Sequence, residues 1–75
     1  MHVLFYTKSG CHLCDEAKLM LQLAQEDVAL TWTEINIEDD DDSHEKYMLM
    51  IPVIEKDGEV LLHGSIGYVD VLELF

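Results

Sequence analysis

Residues 3–37 alternate between two kinds of apolar pattern, and that alternation restricts the fold more than any other feature of the chain. Val3, Leu4, Phe5 and Tyr6 form an unbroken apolar run, closed by the polar stretch Thr7–Gly10. Such a run reads as a strand buried on both faces, the kind found inside a parallel or mixed sheet. Leu13, Ala17, Met20, Leu21 and Ala24 then recur at three- and four-residue steps. That is the stripe of an amphipathic helix, ending near residues 25–27. Val28 to Ile37 is rich in β-branched residues, carries Trp32 and reads as a second strand. Two strands joined through a crossover helix run parallel. A βαβ unit therefore fills the first half of the chain.

The second half is built of shorter pieces. Asp41–Tyr47 reads as a short helix with an acidic first turn, where the helix dipole favours anions. Ile51–Pro52–Val53–Ile54 opens a third strand. Asp57–Gly58 is a two-residue hairpin signal, so Val60–His63 becomes a fourth strand antiparallel to the third. Gly64–Gly67 is a loop, and Tyr68–Phe75 a closing helix with Val69, Leu72 and Phe75 on one face. The order is β-α-β-α-β-β-α, without repeats or linkers, and residues 1–75 read as a single α/β domain. Trp32 and Tyr47 are assigned to packing, and Tyr6 lies near the cysteines without a chemical role.

Charge narrows the partners. Sixteen acidic residues face four lysines and no arginine, a formal net charge of −12. Binding a polyanion needs clustered cations, which argues against nucleic acid and anionic membrane surfaces. Partners attracted non-specifically are basic ones. The run Glu38–Asp42 reads as a solvated capping loop; the sharper alternative is a docking patch for a basic partner or a weak divalent-cation site. No apolar run approaches the roughly 20 residues that span a bilayer. The segment after Met1 lacks the pattern of a secretory leader, so a cytosolic monomer is the expectation.

Both cysteines of the chain, Cys11 and Cys14, fall where the first strand gives way to the first helix. A pair spaced C-x-x-C beside a βαβ unit is a redox pattern. Free N–H groups and the dipole at a helix N-terminus favour a thiolate at Cys11. Cys14 lies one turn on, so the two side chains can meet and cycle between dithiol and disulfide. Cys11 is the nucleophile, the more exposed of the two, and Cys14 resolves the mixed disulfide. Lys8 can reach the thiolate and lower its pKa, while Asp15 and Glu16 act against it, so a moderate lowering is expected. His12 points to solvent or donates to the thiolate. A zinc site would need two further ligands. His2, His12, His44 and His63 stand at no finger-like spacing to the pair, and no metal is expected.

These residues resemble the glutaredoxin branch of the thioredoxin superfamily. The resemblance covers essentially the whole chain. It rests on "YTKSGCHLC" after the first strand, "IPV" at the third, the "DG" hairpin and a glycine before the last helix. It is similar above all to short bacterial glutaredoxin-like proteins whose active site reads "GCHLCDEA". The resemblance implies a four-stranded mixed sheet in the order 2-1-3-4 flanked by helices. It also implies a cis Ile51–Pro52 bond lying against the cysteines, and backbone hydrogen bonds from Ile51 to a bound peptide or glutathione. His12, Leu13, Ile51, Pro52, Gly64 and Ser65 then line the groove for substrate or glutathione. The chain departs from glutathione-binding members in three places. Leu13 stands where they have tyrosine, Met50–Ile51 where they have threonine and valine, and Gly64–Ser65 where they have two glycines.

The implied activity is that of a thiol–disulfide oxidoreductase with no bound cofactor. Its substrate is a protein or small-molecule disulfide. Glutathione and a flavoprotein reductase both stay open as electron donors. Two other classes remain: an iron–sulfur or metal carrier using Cys11 in a glutathione-assisted dimer, and a non-catalytic acidic binding module.

Overall fold

The apolar run near the N-terminus becomes an inner strand of the sheet. The computed structural model describes residues 1–75. Its strands are β1 (His2–Thr7), β2 (Thr31–Asn36), β3 (Val53–Lys56) and β4 (Glu59–His63), in the order β2-β1-β3-β4. β1 pairs in parallel with β2, from His2 opposite Thr31 to Thr7 opposite Asn36. It pairs antiparallel with β3, where Phe5 lies opposite Ile54 and Tyr6 opposite Val53. β3 and β4 are antiparallel, with an irregularity between Ile54 and Glu55. The helices are α1 (His12–Ala24), α2 (Asp41–Tyr47) and α3 (Tyr68–Leu72), and a 3-10 turn at Ile37–Asp39 precedes α2. The mixed sheet and the element order are those the sequence implied. No helix is long and apolar enough to cross a membrane.

Alternation along β1 divides the core between two faces. Val3 and Phe5 pack with Ala17, Leu21 and Ala24 of α1, Ile54 of β3 and Val71 of α3. Tyr6 turns the other way, to Ile37, Tyr47 and Val53. A side chain such as Leu21, fully buried, contributes roughly 1.5–3 kcal/mol from burial alone. β1 is thus held from both sides, which fixes where its C-terminal end delivers the cysteine loop.

Three sequence expectations need correction. The buried edge of α1 is Cys14, Ala17, Leu21 and Ala24, not a stripe starting at Leu13. Leu13 is 41 % exposed, because a residue one position before Cys14 is rotated about 100° around the helix. The second strand starts later than Val28. A turn forms first, with the Val28 N–H donating to Ala24 O and the Met1 amino group to Ala29 O. Ile37, placed in that strand by its apolar character, belongs to the 3-10 turn. In α3 the inward residue is Val71, while Val69 and Phe75 are exposed. The Gly67 N–H donates to Asp70 Oδ2 at 2.8 Å, which fixes the start of this short helix and so the rotation of its faces.

The β3–β4 turn has positive φ at both central residues, 52° at Asp57 and 81° at Gly58. That is the twist a two-residue hairpin requires. Gly58→Val forces a β-branched side chain into the left-handed region. It is expected to lower stability by roughly 1–2 kcal/mol, read as a shift of the urea midpoint at constant slope.

Candidate functional site

The sheet register gathers several loops at one end. β1 and β2 finish there at Thr7 and Asn36, β3 starts there at Val53, and β4 finishes opposite it at His63. The connections Lys8–Cys11, Met48–Pro52 and Gly64–Gly67 therefore all lie at this end.

Cys11 is the N-cap of α1, in extended conformation, and the Asp15 N–H donates to its carbonyl at 3.1 Å. Its sulfur accepts a hydrogen bond from the Cys14 N–H at 3.2 Å. A cap that accepts from an orphan N–H satisfies one of the unpaired donors at the helix start. Here the acceptor is the sulfur itself. The two cysteines are joined as a disulfide, with Cα atoms 5.2 Å apart. Cys14 is 1 % exposed and packed inward, while Cys11 is half-buried.

A polar cleft of about 200 Å³ reaches Cys14 from the side of β2, lined by Lys8, Asp15, Lys18 and Glu34 with Thr7, Ser9 and Asn36. Lys18 Nζ lies 3.1 Å from Glu34 Oε1, tying α1 to β2. The pair is exposed, so it contributes little to stability. Lys8 thus lines the approach to Cys14, and Cys11 is not among the cleft residues. His12 is exposed and sits 3.1 Å from Glu16, one helical turn on.

The Ile51–Pro52 bond is cis. Pro52 is buried and Ile51 half-buried. The Gly64 N–H donates to Pro52 O at 2.9 Å and Met50 O at 3.2 Å, so Gly64 is drawn to this segment, while Ser65 is exposed. Gly64 has a φ of 76°, a conformation that favours glycine. No group of three or more His, Cys, Asp or Glu side chains is placed to hold a metal ion.

The acidic run is partly structural. Asp40 caps α2 by accepting from the Ser43 N–H and hydroxyl, and the Ser43 hydroxyl bond holds its carboxyl below the usual range.

A buried polar cluster was missed by sequence reasoning. Glu55 is 7 % exposed and accepts a hydrogen bond from the Tyr47 hydroxyl. Tyr6 packs on Tyr47 with ring centroids 4.7 Å apart, and Lys46 Nζ lies 5.0 Å from the Tyr47 ring centre. Burial, then the bond to Glu55, pushes the Tyr47 hydroxyl up to about 12. Tyr6 is pushed up by burial first and by Glu55 second. The available signal was spacing: Glu55 is two residues from Val53, on the same face of β3.

Comparison with known proteins agrees with this fold. A family model described as Glutaredoxin-like domain (DUF836) matches residues 2–73. Among solved structures, target protein XcR50 from X. campestris superposes with a TM-score of 0.81 at 25 % identity, covering 96 % of this chain and 92 % of that one. Protein Ne2328 from Nitrosomonas europaea gives 0.80 at 23 % identity, covering 97 % and 88 %. A malarial protein gives 0.67 at 14 % identity, covering 97 % and 90 %. The latter two likenesses speak to the fold alone.

Proposed function

We propose, because this chain belongs to the Glutaredoxin-like domain (DUF836) family, that it is a thiol–disulfide oxidoreductase working through Cys11 and Cys14. The observation that carries this reading is the bonded pair at the start of α1, one sulfur half-buried and the other enclosed. In the reduced protein the Cys14 N–H and the helix terminus offer a partial positive charge to the Cys11 sulfur, which favours its thiolate. The thiolate attacks one sulfur of a substrate disulfide. A mixed disulfide forms, and the other substrate sulfur leaves as a thiolate that takes up a proton. Cys14 then loses its proton and attacks Cys11 Sγ. The second substrate thiol is released, and the Cys11–Cys14 disulfide remains. Two electrons have passed from the dithiol to the substrate, and an external thiol reductant restores the start.

Position supports the other assignments. The polar cleft gives water a path to the Cys14 proton, and Lys8 there adds positive charge beside the pair. Ile51 and Pro52, tied to Gly64, form the wall on which a substrate backbone rests, with His12, Leu13 and Ser65 at its rim. Glutathione or a flavoprotein reductase system supplies the electrons, and the protein works as a cytosolic monomer.

The oxidised protein can be offered glutathione with glutathione reductase, or thioredoxin with thioredoxin reductase, each with NADPH. One system is expected to consume one NADPH per Cys11–Cys14 disulfide and then to turn over when a disulfide substrate is added. Absence of NADPH loss with both would refute the proposed role.

A further inference from the structure

Apolar side chains stand in water at the end of the sheet that carries the cysteines. Leu49 is 92 % exposed, Met48 48 % and Leu13 41 %. A single exposed leucine is ordinary. The topology brings their segments to one end: Leu13 lies between the two cysteines, and Met48–Leu49 lead from α2 into Met50–Pro52. That connection gives Met50 and Ile51 to the second core cluster and leaves Met48 and Leu49 outside it. The chain as a whole carries a net charge of −12. Three of its four lysines are engaged, Lys18 with Glu34, Lys56 with Asp57 and Lys46 over the Tyr47 ring, which leaves Lys8 beside the cysteine pair.

We infer that this end of the molecule docks a protein whose disulfide is flanked by apolar side chains and by lysine or arginine. The inference rests on the thiol–disulfide reading above and adds the partner to it. Apolar contact with Met48 and Leu49 holds the partner, and opposite charge steers it in. The other occupants are disfavoured by the same charge. A second copy of the chain is equally acidic, and glutathione disulfide, nucleic acid and anionic membranes are repelled.

The test uses three disulfides with the reduced full-length protein in single turnover. One is a peptide disulfide with lysine and leucine beside each cysteine, one its counterpart with glutamate and serine, and the third is uncharged hydroxyethyl disulfide. The lysine–leucine peptide is expected to be reduced at least about tenfold faster than the glutamate–serine one at low salt, and the advantage should shrink as added salt screens the charges. Leu49→Ser and Met48→Ser should each slow the lysine–leucine peptide severalfold and leave hydroxyethyl disulfide unchanged. Equal rates for both peptides, or variants that slow all three substrates alike, overturn the docking surface while leaving the redox reading intact. Failure to reduce any of the three overturns both.

Discussion

Cys11→Ser is expected to abolish disulfide exchange, whereas Cys14→Ser captures a substrate and then stops. A serine hydroxyl stays un-ionised at neutral pH, while even an ordinary cysteine is a few per cent thiolate, so the first step should slow at least about a hundredfold. Cys14→Ser keeps Cys11 as cap of α1 and as acceptor of the backbone N–H of residue 14. Its mixed disulfide with substrate therefore forms but lacks the enclosed sulfur that resolves it. Mass spectrometry after mixing with a peptide disulfide should find that adduct in Cys14→Ser and not in Cys11→Ser. In the reduced native protein, brief treatment with iodoacetamide should label Cys11 ahead of Cys14, which is 1 % exposed. Equal labelling, or an adduct in Cys11→Ser, would reverse the roles given to the two sulfurs.

The parts of this site that the sequence revealed are those encoded by short-range pattern. The run Val3–Tyr6, the helical period after Cys11 and the Asp57–Gly58 turn each carry their structural meaning within a few residues. They delivered the strands, the α1 start and the position of both sulfurs. The sheet order came from family resemblance, since periodicity does not say which edge β2 joins. Faces were less legible. Cys14 is legible as the less exposed sulfur, yet the helical stripe counted from Leu13 leaves it out although it heads the buried edge of α1. In α3, the cap between Gly67 and Asp70 sets the rotation, and no apolar count over five helical residues could override it. The cleft depends on Lys18 meeting Glu34 across two elements, a contact between residues remote in sequence. For Glu55 the two-residue step from Val53 is the one local sign of its face; that a tyrosine eight residues earlier covers it is a contact between elements.

That tyrosine is where stability should be most sensitive. Tyr47 is 2 % exposed and Glu55 7 %, and the hydroxyl of one donates to the carboxylate of the other. Tyr47→Phe keeps the ring against Tyr6 but leaves a buried carboxylate without that donor. The expected loss is about 1–3 kcal/mol, the penalty for an unsatisfied buried group. Tyr47→Ala adds a cavity, for a total of roughly 3–5 kcal/mol. A domain of this length has about 4–11 kcal/mol in all, so the alanine variant should be close to unfolding. Removing both polar partners together should hurt less than the sum, since Tyr47→Phe with Glu55→Met replaces an ionisable pair by apolar groups of similar size. Urea unfolding of the two single variants and the double should therefore give a coupling of at least about 1 kcal/mol. Alkali supplies an independent reading. Folding raises Tyr47 from 10.0 to about 12, so the folded state favours the neutral phenol. The stability linked to it is fully present below pH 10 and lost as pH rises toward 12. Tyr47→Phe should flatten that alkaline decline, leaving only the share due to Tyr6 and Tyr68, whose hydroxyls are also raised. Additive single variants, together with an alkaline profile unchanged by Tyr47→Phe, would mean that the buried hydroxyl and carboxylate do not stabilise one another.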